Sequence, residues 1–165
     1  VRWGAALSQT DKKGEADKGL PVKATAKGTT VTYEYKDGST TKVKGTHPNR
    51  DNNPGNLVNG KVAKEHGAIG TDGKFAIFPS AQHGWEALAD LLDNKYANSS
   101  LNGTIDSYAP PSENNTAQYK ADLSRLTGVS GDTVLSTLDK GQKATLANTI
   151  GRIEGWKGVP YVPPE

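Results

Sequence analysis

The stretch SAQHGWEALADLLDNKY, residues 80–96, places Trp85, Leu88, Ala89, Leu92 and Tyr96 at helical spacing. A stripe of that width defines one buried helix face, and such a face needs apolar partners. Ser80 stands where an N-cap belongs, so a helix is predicted to start just after it. Its partners must come from the rest of the chain.

Three further segments offer them. SLNGTIDSYA reads as a short helix that stops at Ala109, because Pro110 and Pro111 cannot continue it. Thr116 is placed to cap a helix carrying Tyr119, Leu123 and Leu126, which Gly128 ends. GDTVLSTL reads as one more short helical turn. The last helix opens on Asp139 and Gln142, a weak variant of the capping box. It runs through Leu146, Ile150 and Ile153 to Glu154, and Gly155 closes it.

Strand signals are fewer. Val31, Tyr33 and Tyr35 alternate with Thr32, Glu34 and Lys36 before Asp37-Gly38 turns the chain into TTKVK, which predicts a hairpin. FAIF, residues 75–78, predicts a short strand. Residues 46–73 between them are polar and glycine-rich and read as loop, with a second turn at TDGK. Residues 1–28 mix Lys, Asp, Gly and Ala with little period, so they read as a linker-like arm that Trp3 would tack to the body. Residues 29–165 then form one domain of α+β class, a small hairpin region leading into four or five helices.

Composition removes several chemistries. The chain has no Cys, which excludes disulfides and thiol nucleophiles. Its 20 basic and 18 acidic residues give a net charge of +2, too balanced to predict nucleic-acid binding. No apolar run approaches the ~20 residues that span a bilayer, so no membrane insertion is expected. A chain that starts at Val1 and contains no Met is expected to be a piece of something longer. His47, His66 and His83 are widely spaced and form no zinc motif, and no phosphate-binding loop is present, so neither metal nor cofactor is expected.

Glu154 is the leading chemical candidate. It lies one turn beyond Ile150 and beside an apolar stripe, at the helix end whose dipole disfavours an anion. Partial burial there raises a carboxyl pKa, and a protonated carboxylic acid is what general-acid cleavage of a glycosidic bond requires. Trp156 would line a sugar groove; the competing reading leaves Glu154 exposed and packs Trp156 in the core. A two-carboxylate glycosidase needs a second acid about 5 to 9.5 Å away. Asp51, Glu65 and Asp72 all fall in the polar segment, Asp72 reading first as a turn residue. Tyr108 and Tyr119 flank APPSENNTAQ and would bond a sugar or sit half-buried. Asn52, Asn53 and Asn56 in RDNNPGNL would bind acetamido and hydroxyl groups or make a turn.

Five segments, RDNNPGNL, HGAIGTDGKFAIFPSAQHGWEAL, YAPPSENNTAQY, GVSGDTVLSTL and IGRIEGW, resemble a lysozyme-like domain of prophage virion proteins and secreted antibacterial (type VI-like) effectors. They span residues 45–157, about two-thirds of the chain. A looser resemblance links EGWKG, NPGNL and FAIFPS to elements of bacterial glucosaminidases and lytic transglycosylases, in permuted order. The resemblance implies a lysozyme-like fold and a peptidoglycan glycan-strand hydrolase delivered to the bacterial periplasm or cell wall. It further implies Glu154 as acid, Asp51 or Glu65 as the second carboxylate, and Asn53, Asn56, Tyr108, Tyr119 and Trp156 along the substrate. A delivery apparatus or a cognate immunity protein would be the partner. The alternative is a non-catalytic glycan- or partner-binding module.

Overall fold

The computed structural model describes residues 18–110 and 114–164. Trp3, the expected anchor of the arm, lies outside the described residues, as do the rest of residues 1–17, residues 111–113 and residue 165.

The chain enters through a three-stranded antiparallel sheet, β1 (Lys23–Lys27), β2 (Thr30–Glu34) and β3 (Thr40–Lys44), paired in the order β1-β2-β3. The expected hairpin is β2–β3, turned at Asp37-Gly38, where Asp37 Oδ1 accepts from the Ser39 amide at 2.8 Å. Strand β1 was not expected, since KATAK falls within the segment read as an arm. Its inward positions are Ala24 and Ala26, too small to give an alternation signal, yet Ala24 is buried opposite Tyr33. Ala24, Val31 and Tyr33 pack with Ile77 into a small second core.

The segment read as plain loop also holds structure. Two single-turn helices, α1 (His47–Arg50) and α2 (Lys61–Glu65), flank the NNPGN stretch. A minimal hairpin follows, β4 (Gly70–Thr71) with β5 (Ala76–Ile77), so the expected strand at 75–78 shortens to two residues. The Ala24 amide donates to Ile69 O at 3.1 Å and ties this hairpin to the outer side of β1.

Helix α3 (Ala81–Asp90) starts as the sequence requires, Ser80 Oγ accepting from the His83 amide at 3.3 Å. It runs on into a π-helical turn, Leu91–Lys95, which keeps Leu92 buried. Helix α4 (Leu101–Tyr108) ends at Ala109 before Pro110. Helix α5 (Thr116–Thr127) takes Asn115 rather than Thr116 as its cap; the Thr116 hydroxyl donates instead to Ala109 O at 2.6 Å and closes the connection from α4. A 3₁₀ turn at Leu135–Thr137 precedes α6 (Lys140–Glu154), where Asp139 and Gln142 form the full reciprocal capping box. Gly155 ends α6 at φ 99°, a left-handed position that a Cβ would strain.

The main core is the stripe of α3 meeting its partners. Trp85, Leu88 and Leu92 pack with Leu101 and Ile105 of α4, Leu123 of α5, and Leu146 and Ile150 of α6. Each fully buried side chain of this size contributes about 1.5–3 kcal/mol. Gly151 lets α6 approach closely, since a Cβ there would stand 2.6 Å from the Trp85 ring. The architecture is mixed helix and strand, as expected. Among the described residues no helix is long and apolar enough to cross a membrane.

Candidate functional site

Glu154 is the last residue of α6, and its half-buried carboxylate is gripped from two sides. Asn56 Nδ2 donates to Oε1 at 2.9 Å, and the Tyr119 hydroxyl of α5 donates to Oε2 at 2.8 Å. Burial raises its pKa above the ordinary carboxylate value, an effect the Asn56 and Tyr119 bonds and the charge of Lys74 only partly offset. Burial also drives the Tyr119 and Tyr108 phenols upward, so both remain protonated donors. Tyr108 gives its hydrogen to Gly55 O, one residue before Asn56.

The loop that brings Asn56 here is held by its own amides. Asn53 is fully buried; its Nδ2 donates to Leu57 O and Ala76 O, each at 2.9 Å, and its Oδ1 accepts from the Leu57 amide at 2.9 Å. Asn52, at φ 53°, donates to Phe78 O at 3.1 Å. Gly84 of α3 lies directly beneath, where a Cβ would collide with Asn52 O. Asn56 itself sits at φ 51°, its Nδ2 committed to Glu154 and its Oδ1 buried with no hydrogen-bond partner among the described residues.

A further residue, one the sequence did not single out, locks the loop to the end of α6. Asn49 Nδ2 donates to Gly155 O at 3.0 Å, and its Oδ1 accepts from the Lys157 amide at 2.9 Å. Its local bond, Nδ2 to Thr46 Oγ1 at 2.7 Å, is that of a turn asparagine; the two partners at the end of α6 lie more than 100 positions away.

Several expected site residues are placed elsewhere. Asn53 spends every polar atom on the loop and has none left for a substrate. Trp156 donates to Val159 O at 2.7 Å and packs edge-on to Trp85, centroids 6.0 Å apart, so it anchors the C-terminal tail. Glu65 closes α2 as an exposed side chain with no hydrogen bond or ion pair among the described residues.

Asp51 belongs to a buried charge cluster instead. Its side chain is inaccessible, and Arg50 Nε lies 3.6 Å from its Oδ1. Arg50 also reaches Asp72 Oδ2 at 3.5 Å and His47 Nδ1 at 3.2 Å, and His47 pairs with Asp72. Burial first, then the neighbouring Asp72, pushes the Asp51 pKa up to about 9. Neither Asp51 oxygen has a hydrogen-bond partner among the described residues, and burial with Asp72 close by favours its neutral form. Burial alone would raise Asp72 too, but the neighbouring Asp51, the Phe75 and Lys74 amide bonds and the His47 pairing hold it well below the usual carboxylate range. Those amide bonds, at 2.8 and 3.0 Å, are the turn role expected of Asp72.

His47, Asp51 and Asp72 bring one potential ligand atom each within 4.8 Å of one another. The Arg50 guanidinium already stands among them as the cation, which makes the cluster a poor host for a metal ion. A cavity of about 270 Å³ lies between the π-helical turn, α6 and the tail, lined by Leu92, Lys143, Ala147 and Tyr161 and not by Glu154.

Comparison with protein-family models, with curated proteins and with solved structures returns no match. The functional reading therefore rests on the geometry around Glu154.

Proposed function

We propose that the protein is a peptidoglycan glycan-strand hydrolase of lysozyme-like type, with Glu154 as the general acid for a β-1,4 glycosidic bond. One observation carries this reading: the NPGNL loop and the end of α6, 98 positions apart, meet at the Asn56–Glu154 hydrogen bond. The permuted resemblance requires that meeting. A carboxyl whose pKa burial raises, with two neutral donors fixing its orientation, is suited to deliver a proton to a leaving oxygen. Tyr108 acts through Gly55, steadying the loop rather than touching substrate.

A second reading is favoured by one specific observation. Asp51 is buried in a cluster with Arg50 and Asp72, its pKa pushed up to about 9, and Glu65 is an exposed side chain, so neither is held beside Glu154 as the second carboxylate of a two-acid mechanism. A non-catalytic glycan-binding module would keep the same grip on Glu154. In either case the site of action is the bacterial cell wall, reached with a phage particle or secretion apparatus, and an immunity protein is the natural antagonist.

Turbidity clearing of purified peptidoglycan by wild type and Glu154→Gln separates the two. The hydrolase reading expects at least a ~100-fold loss in the variant and products cut between sugars by mass analysis. Equal clearing removes Glu154 from the chemistry. Saccharide binding by wild type with no new reducing ends establishes the binding module.

A further inference from the structure

We propose that the outward face of the β1–β2–β3 sheet is a second contact surface, which docks the carboxylate-bearing peptide arms of the wall polymer by charge. This rests on peptidoglycan being the substrate.

The register decides what that face presents. Lys23 pairs with Glu34 and Glu34 with Thr40; Thr25 with Thr32 and Thr32 with Lys42; Lys27 with Thr30 and Thr30 with Lys44. Directly opposed residues point the same way, and so do alternate residues along a strand. Ala24, Val31 and Tyr33 point inward to the core, so these nine side chains share the other face. They amount to four lysines, four threonines and one glutamate, a charge of +3 (4 − 1). The whole chain carries only +2 (20 − 18), so everything outside this face sums to −1 (2 − 3). All four lysines are exposed, and none makes an ion pair among the described residues.

Protection of an exposed sheet edge explains lysines on β3. It does not explain Lys23 and Lys27, because the outer side of β1 is already bonded to Ile69. Strand spacings make the face about 10 Å by 14 Å, a span that takes several anionic groups of one polymer at once.

The residue types select the partner. Arginine, which matches phosphate bidentately, is absent from the face, and so is any aromatic ring on which a base would stack. No apolar side chain is there to enter a membrane interface. Lysine point charges among short hydroxyls suit dispersed carboxylates on mobile arms. The face is also fixed to the Glu154 site: Arg50 Nη1 donates to Gly28 O in the β1–β2 turn at 2.9 Å, and three residues on from Arg50 begins the loop brace at Asn53.

The experiment is co-sedimentation with purified sacculi, using wild type, Glu154→Gln, and the fourfold variant Lys23→Gln/Lys27→Gln/Lys42→Gln/Lys44→Gln. The double variant Lys27→Gln/Lys44→Gln, whose positions flank Thr30, serves if the fourfold chain melts early. Expected is a ~10-fold weaker binding of the lysine variants, and a similar loss for wild type on raising salt from low to ~0.3 M. Cleavage of soluble peptide-free glycan stays unchanged. The lysine substitutions are also compared in the Glu154→Gln background, where the same ~10-fold loss is expected, so a failure of the catalytic reading leaves the docking result standing. Lysine variants that bind like wild type overturn the proposal. It is equally overturned if wild type binds peptide-stripped glycan as well as whole sacculi. Loss of binding on acid removal of phosphate polymers, with peptide arms retained, would also sink it, assigning the face to phosphate.

Discussion

Asn56 holds Glu154 across 98 positions of sequence, its Nδ2 2.9 Å from Oε1, while the amide's own oxygen is buried without a partner among the described residues. Glu154 is thereby oriented by a loop from the other half of the chain and by Tyr119 of α5, and each oxygen has one donor.

That arrangement sets the pH dependence of Glu154. A general acid works only while protonated, so activity falls as pH rises through its pKa. The Tyr119 bond lowers that pKa against the upward push of burial. Tyr119→Phe removes the bond and is expected to move the alkaline limb of the clearing rate to higher pH. An alkaline limb that stays in place would show that Glu154 does not set it.

Asp51 makes the opposite kind of test, since it acts on stability and not on activity. Its folded pKa of about 9 lies above the ordinary carboxylate value. Its stabilising contribution is therefore complete below the unfolded pKa of ~4 and is lost as pH rises towards 9, each unit crossed costing on the order of 1 kcal/mol. Above that point the group adds no further slope. Asp51→Asn puts a group that stays neutral in the same space and is expected to flatten the decline. Urea unfolding at intervals between mildly acidic and alkaline pH measures it; parallel curves for the two proteins would contradict the cluster described above.

Asn53 separates a brace from a ligand contact. Asn53→Ala orphans the Leu57 amide and the Ala76 carbonyl in the buried interior, while Leu57 O keeps the Ala76 amide, at a cost of about 2–4 kcal/mol. The expected result is a clear drop in melting temperature, with affinity for glycan at low temperature unchanged. Weaker glycan binding in a chain of unaltered stability would restore Asn53 to the substrate.

Gly84 tests whether the loop needs α3 beneath it. A Cβ at this position meets Asn52 O and Pro54 Cδ, so Gly84→Ala is expected to cost about 1–3 kcal/mol by overpacking. The loop must lift, and Asn56 with it, so clearing activity should fall even where the chain remains folded. Full activity in a stable Gly84→Ala protein would mean that loop position is not coupled to the site.

Much of the helical frame was legible because its signals are local. The stripe from Trp85 to Leu92, the Ser80 cap, the Asp139–Gln142 box and the Gly155 stop each depend on residues a few positions apart. Backbone geometry reads them the same way in any context. Strand β1 escaped because alanine at its inward positions carries no strand preference and is buried only once Tyr33 lies opposite. The single turns α1 and α2 are too short for any period to show.

Within the NNPGN loop the sequence established that amides would govern the chain, and it offered Glu154 as the acid to which they relate. It did not distinguish Asn53 from Asn56, because the two are the same residue type in the same turn. Tertiary structure decided between them: Asn53 is surrounded by backbone carbonyls and an amide that satisfy it, and Asn56 is left-handed and pointed at the end of α6. The same holds for the carboxylates. Composition supplied Asp51 and Glu65 as candidates beside Asp72, read first as a turn residue, and only burial beside Asp72 raised the Asp51 pKa and set it in a charge cluster apart from Glu154. Which polar group meets solvent, backbone or another side chain is set by chain segments brought together from a distance, and no local pattern records that.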